Sequence, residues 1–344
     1  MSQGKLKKQY LLVPLLVAGY EALSNVAYAD TPLSYLTSSG PKADRTADLT
    51  WGLLLISIFV IVLFSALVVW AIFRKRAPAA TGTPGEATDV SGFNIFGWGL
   101  IATTLVLAGS VAWTMVTLAA INRPPRQPSV TIEVTGRQWW WQVHYLDKNP
   151  SKTFLTANEI HIPVGEPVEV KLRSADVIHS FWVPALAGKT DVIPGQINTT
   201  WIEASVPGTF LGACSEYCGL QHAHMAIRVV AEPRGKFDAW RDDQLKPEEP
   251  LNTSKANAGL VVFERRCGAC HSIRGTPAGG VYGPNLSHLM TRATLAAGAI
   301  PNSEGNLAGW IADPQQIKPG THMPEVQLSG DELQSITNFL TSLK

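Results

Sequence analysis

Cysteine is scarce in this chain: four residues among 344, falling into two tight pairs, Cys214 with Cys218 and Cys267 with Cys270. Each pair sits in a motif with chemistry of its own, so no thiol remains for a structural disulfide framework. Net charge is scarce as well. The 28 Lys and Arg residues against 27 Asp and Glu leave +1 at neutral pH. That balance provides no electrostatic footprint for nucleic acid and excludes such a partner. Charge of either sign is missing altogether from residues 49–73 and 90–122. At about 1.5 Å of rise per residue, a helix over the first of these runs exceeds the roughly 30 Å hydrocarbon core of a bilayer.

What is present begins with an export signal. Lys5, Lys7 and Lys8 precede an apolar run over residues 11–19, and Ala27-Tyr28-Ala29 stands before Asp30. Basic, apolar and small-residue regions in that order predict a secretory signal peptide over residues 1–29. An uncleaved anchor is the alternative, although the run is short for a span and contains Pro14. Two spans, about 49–73 and 95–120, then make a transmembrane helical hairpin within residues 30–125. Arg74, Lys75 and Arg76 put its connection on the cytoplasmic side. Lys42, Arg45, Arg123 and Arg126 lie on the other side and oppose that count, so the orientation rests mainly on the signal peptide. A hydrophobic content of 46% fits soluble domains joined to a few spans.

Past the prolines at 124, 125 and 128 the composition turns to β-branched and aromatic runs. Residues 130–135, 139–145, 168–172, 200–204 and 226–230 read as strands, and their spacing predicts an antiparallel sandwich or barrel over residues 126–243. A short helix near residues 236–241 closes it. Residues 244–252, with prolines and charges, read as an extended solvated linker. Within residues 253–344, the stretches 252–266 and 330–343 read as amphipathic helices, the second opened by a capping box from Ser329 and Glu332.

Two loops carry the chemistry. Residues 214–225 read Cys-Ser-Glu-Tyr-Cys-Gly-Leu-Gln-His-Ala-His-Met. Two thiolates, an imidazole and a thioether are soft and borderline ligands that suit copper far better than magnesium or calcium. Cys214 and Cys218 can bridge two ions, His222 can ligate one, and Met225 can be a weak ligand to the other. Upstream, His179 supplies the second imidazole. The alternatives are a disulfide, which has no use for the neighbouring Glu, His and Met, and zinc, which has little use for a thioether. His224 lies close to His222, and Met225 fixes the register in favour of His222. The second loop, Cys267-Gly-Ala-Cys270-His271, places two thiols for thioether bonds to haem vinyl groups and an imidazole for the iron. A thioredoxin-like motif is the alternative, opposed by the immediate His and by export. Met323, in Thr321-His322-Met323-Pro324, offers the axial sulfur, with Met290 as its rival on what reads as an apolar helix face.

The copper loop resembles the dinuclear copper A site of cytochrome c oxidase subunit II. Every ligand position of that family's Cys-x-Glu-x-Cys-x-x-x-His-x-x-Met pattern is filled, together with the upstream His. Residues 253–344 resemble a class I cytochrome c domain, and the whole looks like subunit II of a caa3-type oxidase. The resemblance implies a multidomain fold: a two-helix transmembrane hairpin, an all-β cupredoxin-like domain and an all-α class I cytochrome c domain. It implies a subunit that passes electrons from a donor through haem c and copper A to the oxygen-reducing centre in subunit I, with no oxygen chemistry in this chain alone. Glu216 would give its backbone carbonyl to copper and its carboxylate to magnesium at the subunit I interface, near Lys189-Thr190-Asp191. Trp139, within Gln138-Trp139-Trp140-Trp141, matches the family's electron-accepting tryptophan, and strand alternation would put Trp139 and Trp141 on one face. His144, His161, His224, His288 and His322 match no role and read as surface or structural. Implied partners are subunit I, other oxidase subunits, and a donor cytochrome or quinol-cytochrome c reductase. The implied location is the cell inner membrane, with copper and haem on the outer side. Two departures stand out: Gln196 follows Pro194-Gly195 where many relatives have Arg, and no carboxylate nearer than Asp89 precedes Trp98. The alternative is a copper and haem carrier serving a different terminal reductase. Nitrous oxide reductase would need a propeller repeat that is absent, and a quinol-oxidase subunit would lack the copper ligands.

Overall fold

The structure is a computed structural model that describes residues 33–75, 90–247 and 254–344. The signal peptide expected at residues 1–29, the loop 76–89 with Asp89, and residues 248–253 of the linker lie outside the described residues.

Helix α1 runs over Pro41–Phe73, longer than its uncharged run, and α2 over Val90–Asn122, which coincides with its own. The extra first turn of α1 starts with Pro41, whose fixed φ suits the first helical position, and is tied to the domain beside it. Lys42 Nζ donates to Thr200 Oγ1 at 2.6 Å and to the Trp201 carbonyl at 3.3 Å. Ser39 N–H donates to Ala185 O, and Ser205 N–H donates to Ser39 O, each at 2.8 Å. Gly40 permits this approach, because a Cβ there would stand 1.9 Å from Glu203 O. At the other end, Trp201 Nε1 donates to Ile121 O at 2.9 Å and satisfies a carbonyl that α2 leaves open. Beyond these anchors, side chains such as Leu55, Phe59, Ile61, Leu105 and Val116 stand exposed, an apolar surface of the kind a bilayer covers.

The β-domain has ten strands: β1 Val130–Arg137, β2 Trp140–Leu146, β3 Phe154–Ala157, β4 Glu159–Pro163, β5 Val168–Ser174, β6 His179–Trp182, β7 Thr190–Val192, β8 Asn198–Ile202, β9 Gly208–Cys214 and β10 Ala226–Glu232. They form two sheets, ordered β3-β2-β1-β5-β8 and β4-β10-β9-β6-β7. The expected antiparallel sandwich is in fact mixed, since β1 pairs with β5 and β10 with β4 in parallel. Alternation of apolar residues shows which side of a strand is buried and says nothing of its partner's direction. Ile132, Val134, Trp141 and Leu172 from one sheet meet Phe181, Ile227 and Val229 from the other in the core. Helix α3, Arg234–Gln244, closes the domain. Gln244 is buried and Leu245 packs on the core, so the linker starts later than residue 244.

The C-terminal domain consists of α4 Ser254–Arg266, a two-stranded hairpin (β11 Thr294–Leu295, β12 Ile300–Pro301), α5 Glu304–Ala312, α6 Pro314–Ile317 and α7 Gly330–Leu340. Its core forms where α4 crosses α7, with Phe263 and Phe339 at 5.7 Å between ring centroids. The capping box of Ser329 and Glu332 opens α7. Met290 lies on a single 3-10 turn, Leu289–Thr291, not on a helix face, because His288 before it takes a left-handed φ of 52°.

Candidate metal centre and haem cavity

Strand ends and one loop collect the copper-ligand candidates. His179 opens β6, Cys214 ends β9, and residues 215–225 lead into β10. Cys214 Sγ lies 3.8 Å from Cys218 Sγ, 3.8 Å from His179 Nδ1 and 3.2 Å from the Glu216 carbonyl. Cys218 Sγ lies 3.5 Å from His222 Nδ1 and 3.9 Å from Met225 Sδ. Both cysteines are free and buried. Among the described residues, His179, Cys214 and Cys218 are the group of three His, Cys, Asp or Glu side chains whose ligand atoms gather within 4.8 Å of one another. Two thiols, two imidazole nitrogens, a thioether and a carbonyl thus converge, a donor set that fits copper.

Sequence reasoning missed the groups that hold these ligands. Asp176 Oδ1 accepts from His179 Nε2 at 2.7 Å, which leaves Nδ1 as the nitrogen turned to Cys214. The same carboxylate accepts from the backbone N–H groups of Gln138 and Val177, each at 2.7 Å. Burial alone would raise the Asp176 pKa, but these hydrogen bonds outweigh it and hold the group below its ordinary range. Gly136 lets β1 pass against the imidazole, since a Cβ would stand 2.7 Å from His179 Cδ2. The only signal for Asp176 was its place three residues before His179. The Glu216 carboxylate points away from the sulfurs and pairs with Lys189 Nζ at 3.3 Å.

Trp139 is not the first residue of a strand. It forms the hairpin turn with Gln138, and β2 starts at Trp140. Trp139 Nε1 donates to Cys218 O at 3.0 Å, and Gln138 Nε2 donates to the same carbonyl at 2.7 Å. Gly219, at φ 113°, makes room below, where a Cβ would stand 3.1 Å from the indole. The indole also packs against His322, at 5.6 Å between ring centroids. Trp139 and Trp141 are buried and Trp140 is half-buried. Of the unassigned histidines, His322 therefore meets Trp139, while His161 stacks on Trp240 at 4.1 Å between Glu159 and Glu232.

The C-terminal domain holds a cavity of about 420 Å³ lined by Cys267, Cys270, His271 and Met323 with apolar neighbours that include Phe263 and Trp310. That volume is in the range of cofactor sites, roughly 300–1,000 Å³. Met290 packs with the domain core and does not line this cavity. His271 Nδ1 donates to Pro284 O at 2.9 Å, which leaves Nε2 as the free nitrogen. Burial lowers its pKa, keeping the ring neutral and able to ligate a metal. Gly283 makes room for it: a Cβ there would stand 2.5 Å from His271 Cε1. Gln315, unnoticed in the sequence, fixes the Met323 loop. Its Nε2 donates to Thr321 O and Met323 O, and its Oε1 accepts from Gly320 N–H, each at 2.9 Å. Trp139 and Lys318 also line the cavity, so the β-domain forms part of its wall.

Comparison with known proteins matches a family to each of the two domains. The family described as "Cytochrome C oxidase subunit II, periplasmic domain" matches residues 146–232, and "Cytochrome c" matches residues 256–344. Cytochrome c oxidase subunit 2 of Alkalihalophilus pseudofirmus is 36% identical over 322 residues, covering 90% of this chain and 91% of that protein. Its counterpart from a Bacillus species is 30% identical over 290 residues, 79% of this chain and 80% of that protein. A solved periplasmic domain of cytochrome oxidase subunit II from Bradyrhizobium japonicum is 34% identical, covers 35% of this chain and 95% of that one, and has a TM-score of 0.33. Two apolar helices, a cupredoxin-like β-domain and a cytochrome c domain define a membrane-anchored subunit of an oxidoreductase complex. The chain belongs to the cytochrome c oxidase subunit 2 family.

Proposed function

We propose that this chain is the electron-receiving subunit of a haem-copper oxygen reductase, taking electrons from a donor and passing them by way of haem c and copper A to subunit I. Cys267 and Cys270 would hold the haem covalently, and His271 and Met323 would ligate its iron. His179, Cys214, Glu216, Cys218, His222 and Met225 would hold two coppers. When bound, these groups supply one-electron carriers that no side chain here can replace. The chain's own part is placement. Asp176 fixes the nitrogen that His179 presents, Pro284 does the same for His271, and Gln315 holds the Met323 loop.

One observation carries the order of transfer. Trp139 touches the copper loop through its hydrogen bond to Cys218 O and packs against His322, the neighbour of Met323. A donor cytochrome, or quinol-cytochrome c reductase, would then meet the haem domain first. The copper and haem domains would lie on the outer side of the cell inner membrane. A magnesium ion at Glu216 would draw its other ligands from subunit I, since the carboxylate here is exposed and paired with Lys189. To test the order, the chain is cut after Leu245 in the purified oxidase and oxygen consumption is measured with the natural donor. Turnover should fall sharply while copper A stays intact and chemically reducible. Unchanged turnover at every donor concentration would refute the reading.

A further inference from the structure

Lys318 follows α6 and is only 2% exposed, unusual burial for a residue type that normally keeps its charge in water. Its Nζ donates to the Trp139 carbonyl at 2.7 Å, the His224 carbonyl at 2.7 Å and the Ala296 carbonyl at 2.9 Å. An ammonium has three N–H donors, and all three are used. Two of the acceptors belong to the β-domain, one on the hairpin turn and one on the copper loop. The third belongs to the C-terminal domain.

The residues around Lys318 continue the contact. Gln221 Nε2 donates to Pro319 O at 2.7 Å, and Ala226 N–H donates to Ala297 O at 3.0 Å. Gly320, at φ 82°, lets the chain pass Leu220, where a Cβ would stand 2.6 Å from Leu220 Cδ2. The segment 318–322 that leads to Met323 therefore lies along the loop that carries His222 and Met225.

Burying an ammonium costs several kcal/mol unless its hydrogen bonds are replaced. The carbonyls that replace them come together only when the domains sit in this one register, because two lie on one domain and one on the other. Any shift between the domains leaves a buried amine, its pKa already lowered to about 7 by burial, short of acceptors. Resting on the route proposed above, we infer that Lys318 is a positioning residue: a latch that fixes the haem domain on the copper loop and keeps Trp139 between Cys218 and His322 during turnover.

The test uses the complete, cofactor-loaded oxidase. The haem is reduced rapidly and reduction of copper A is followed at several solvent viscosities. In the unaltered protein the step should be fast and indifferent to viscosity, since no domain has to move. Lys318→Met keeps the length of the side chain and removes every donor. It should slow the step about tenfold or more, the effect of losing at least ~1.4 kcal/mol of docking preference. The rate should also become inversely dependent on viscosity, with both cofactors' spectra unchanged. Lys318→Arg keeps the charge, but a planar fork cannot aim three donors at three carbonyls around one point, so it should show the same signature more weakly. An unchanged, viscosity-independent rate in Lys318→Met would overturn the latch and leave the route standing. Loss of a cofactor in Lys318→Met with ordinary kinetics in Lys318→Arg would make Lys318 a folding residue and overturn it too. Absence of haem-to-copper transfer in the unaltered protein would overturn the route itself.

Discussion

In the copper loop, the two thiols do not ionise together. Cys214 is held below the ordinary thiol range, first by the hydrogen bond between the two sulfurs, and Cys218 is pushed above it by that same bond and by burial. Two sulfurs this close resist losing both protons at once. Copper would be held by both sulfurs as thiolates, so loading has to displace the proton that the pair retains. The sign follows directly. Copper uptake by the metal-free chain should release protons, and it should weaken as the pH falls and protons compete for the sulfur. An indicator dye in weak buffer reads the release, and uptake with no release at neutral pH would contradict this account. The candidate ligands were legible in the sequence as a group because Cys214, Glu216, Cys218, His222 and Met225 share one loop. Asp176, Gln138 and Gln315 were not legible, because a hydrogen-bonded support is defined by where its side chain ends in space.

Among the elements, helices and strands could be read from periodicity, whereas their contacts could not. The α4/α7 crossing is an example. Both helices were expected from their apolar faces, but the residue that sets their distance is a glycine. A Cβ on Gly259 would stand 2.2 Å from Ser335 O and 2.6 Å from Phe339 Cβ. Glu332 also joins the two helices through Arg265 at 3.0 Å and Arg266 at 3.1 Å, but surface ion pairs of this kind contribute little. Packing at Gly259 decides the crossing. Gly259→Val should therefore destabilise the haem domain by about 1–3 kcal/mol through overpacking, seen as a lower thermal midpoint of the haem-loaded chain. An unchanged midpoint would mean that the helices separate freely and that the crossing is not close-packed. The mixed sheets give the same lesson at the level of strands: burial patterns were readable, and the parallel β1–β5 and β4–β10 pairs were not.

On the scale of the whole molecule, the sequence announced two cofactor domains but not how they meet. Lys318 and Trp139 are 179 positions apart, and Gln221 and Pro319 are 98 apart, so no local pattern could pair them. The contacts across this interface have a common character. Lys318 reaches two carbonyls of the β-domain, Gln221 reaches Pro319 O, Ala226 N–H reaches Ala297 O, Arg274 reaches Thr153 O, and Ala293 N–H reaches the Glu159 carboxylate. Every one has a backbone group as donor or acceptor. Short hydrogen bonds to backbone dipoles in a closed interface are screened by salt far less than pairs of exposed charges, which fade within a Debye length of about 10 Å at 0.1 M. A diffusing donor that docks by complementary surface charge loses rate steeply as salt rises. A domain held on the same chain starts at an effective concentration of roughly millimolar and needs no such steering. The rate of copper A reduction after the haem is reduced should therefore stay constant from low to high ionic strength and over any dilution of the oxidase. A steep fall with salt would mean that the domains separate and find each other again by surface charge on every turnover, and that the docked arrangement is not the working one.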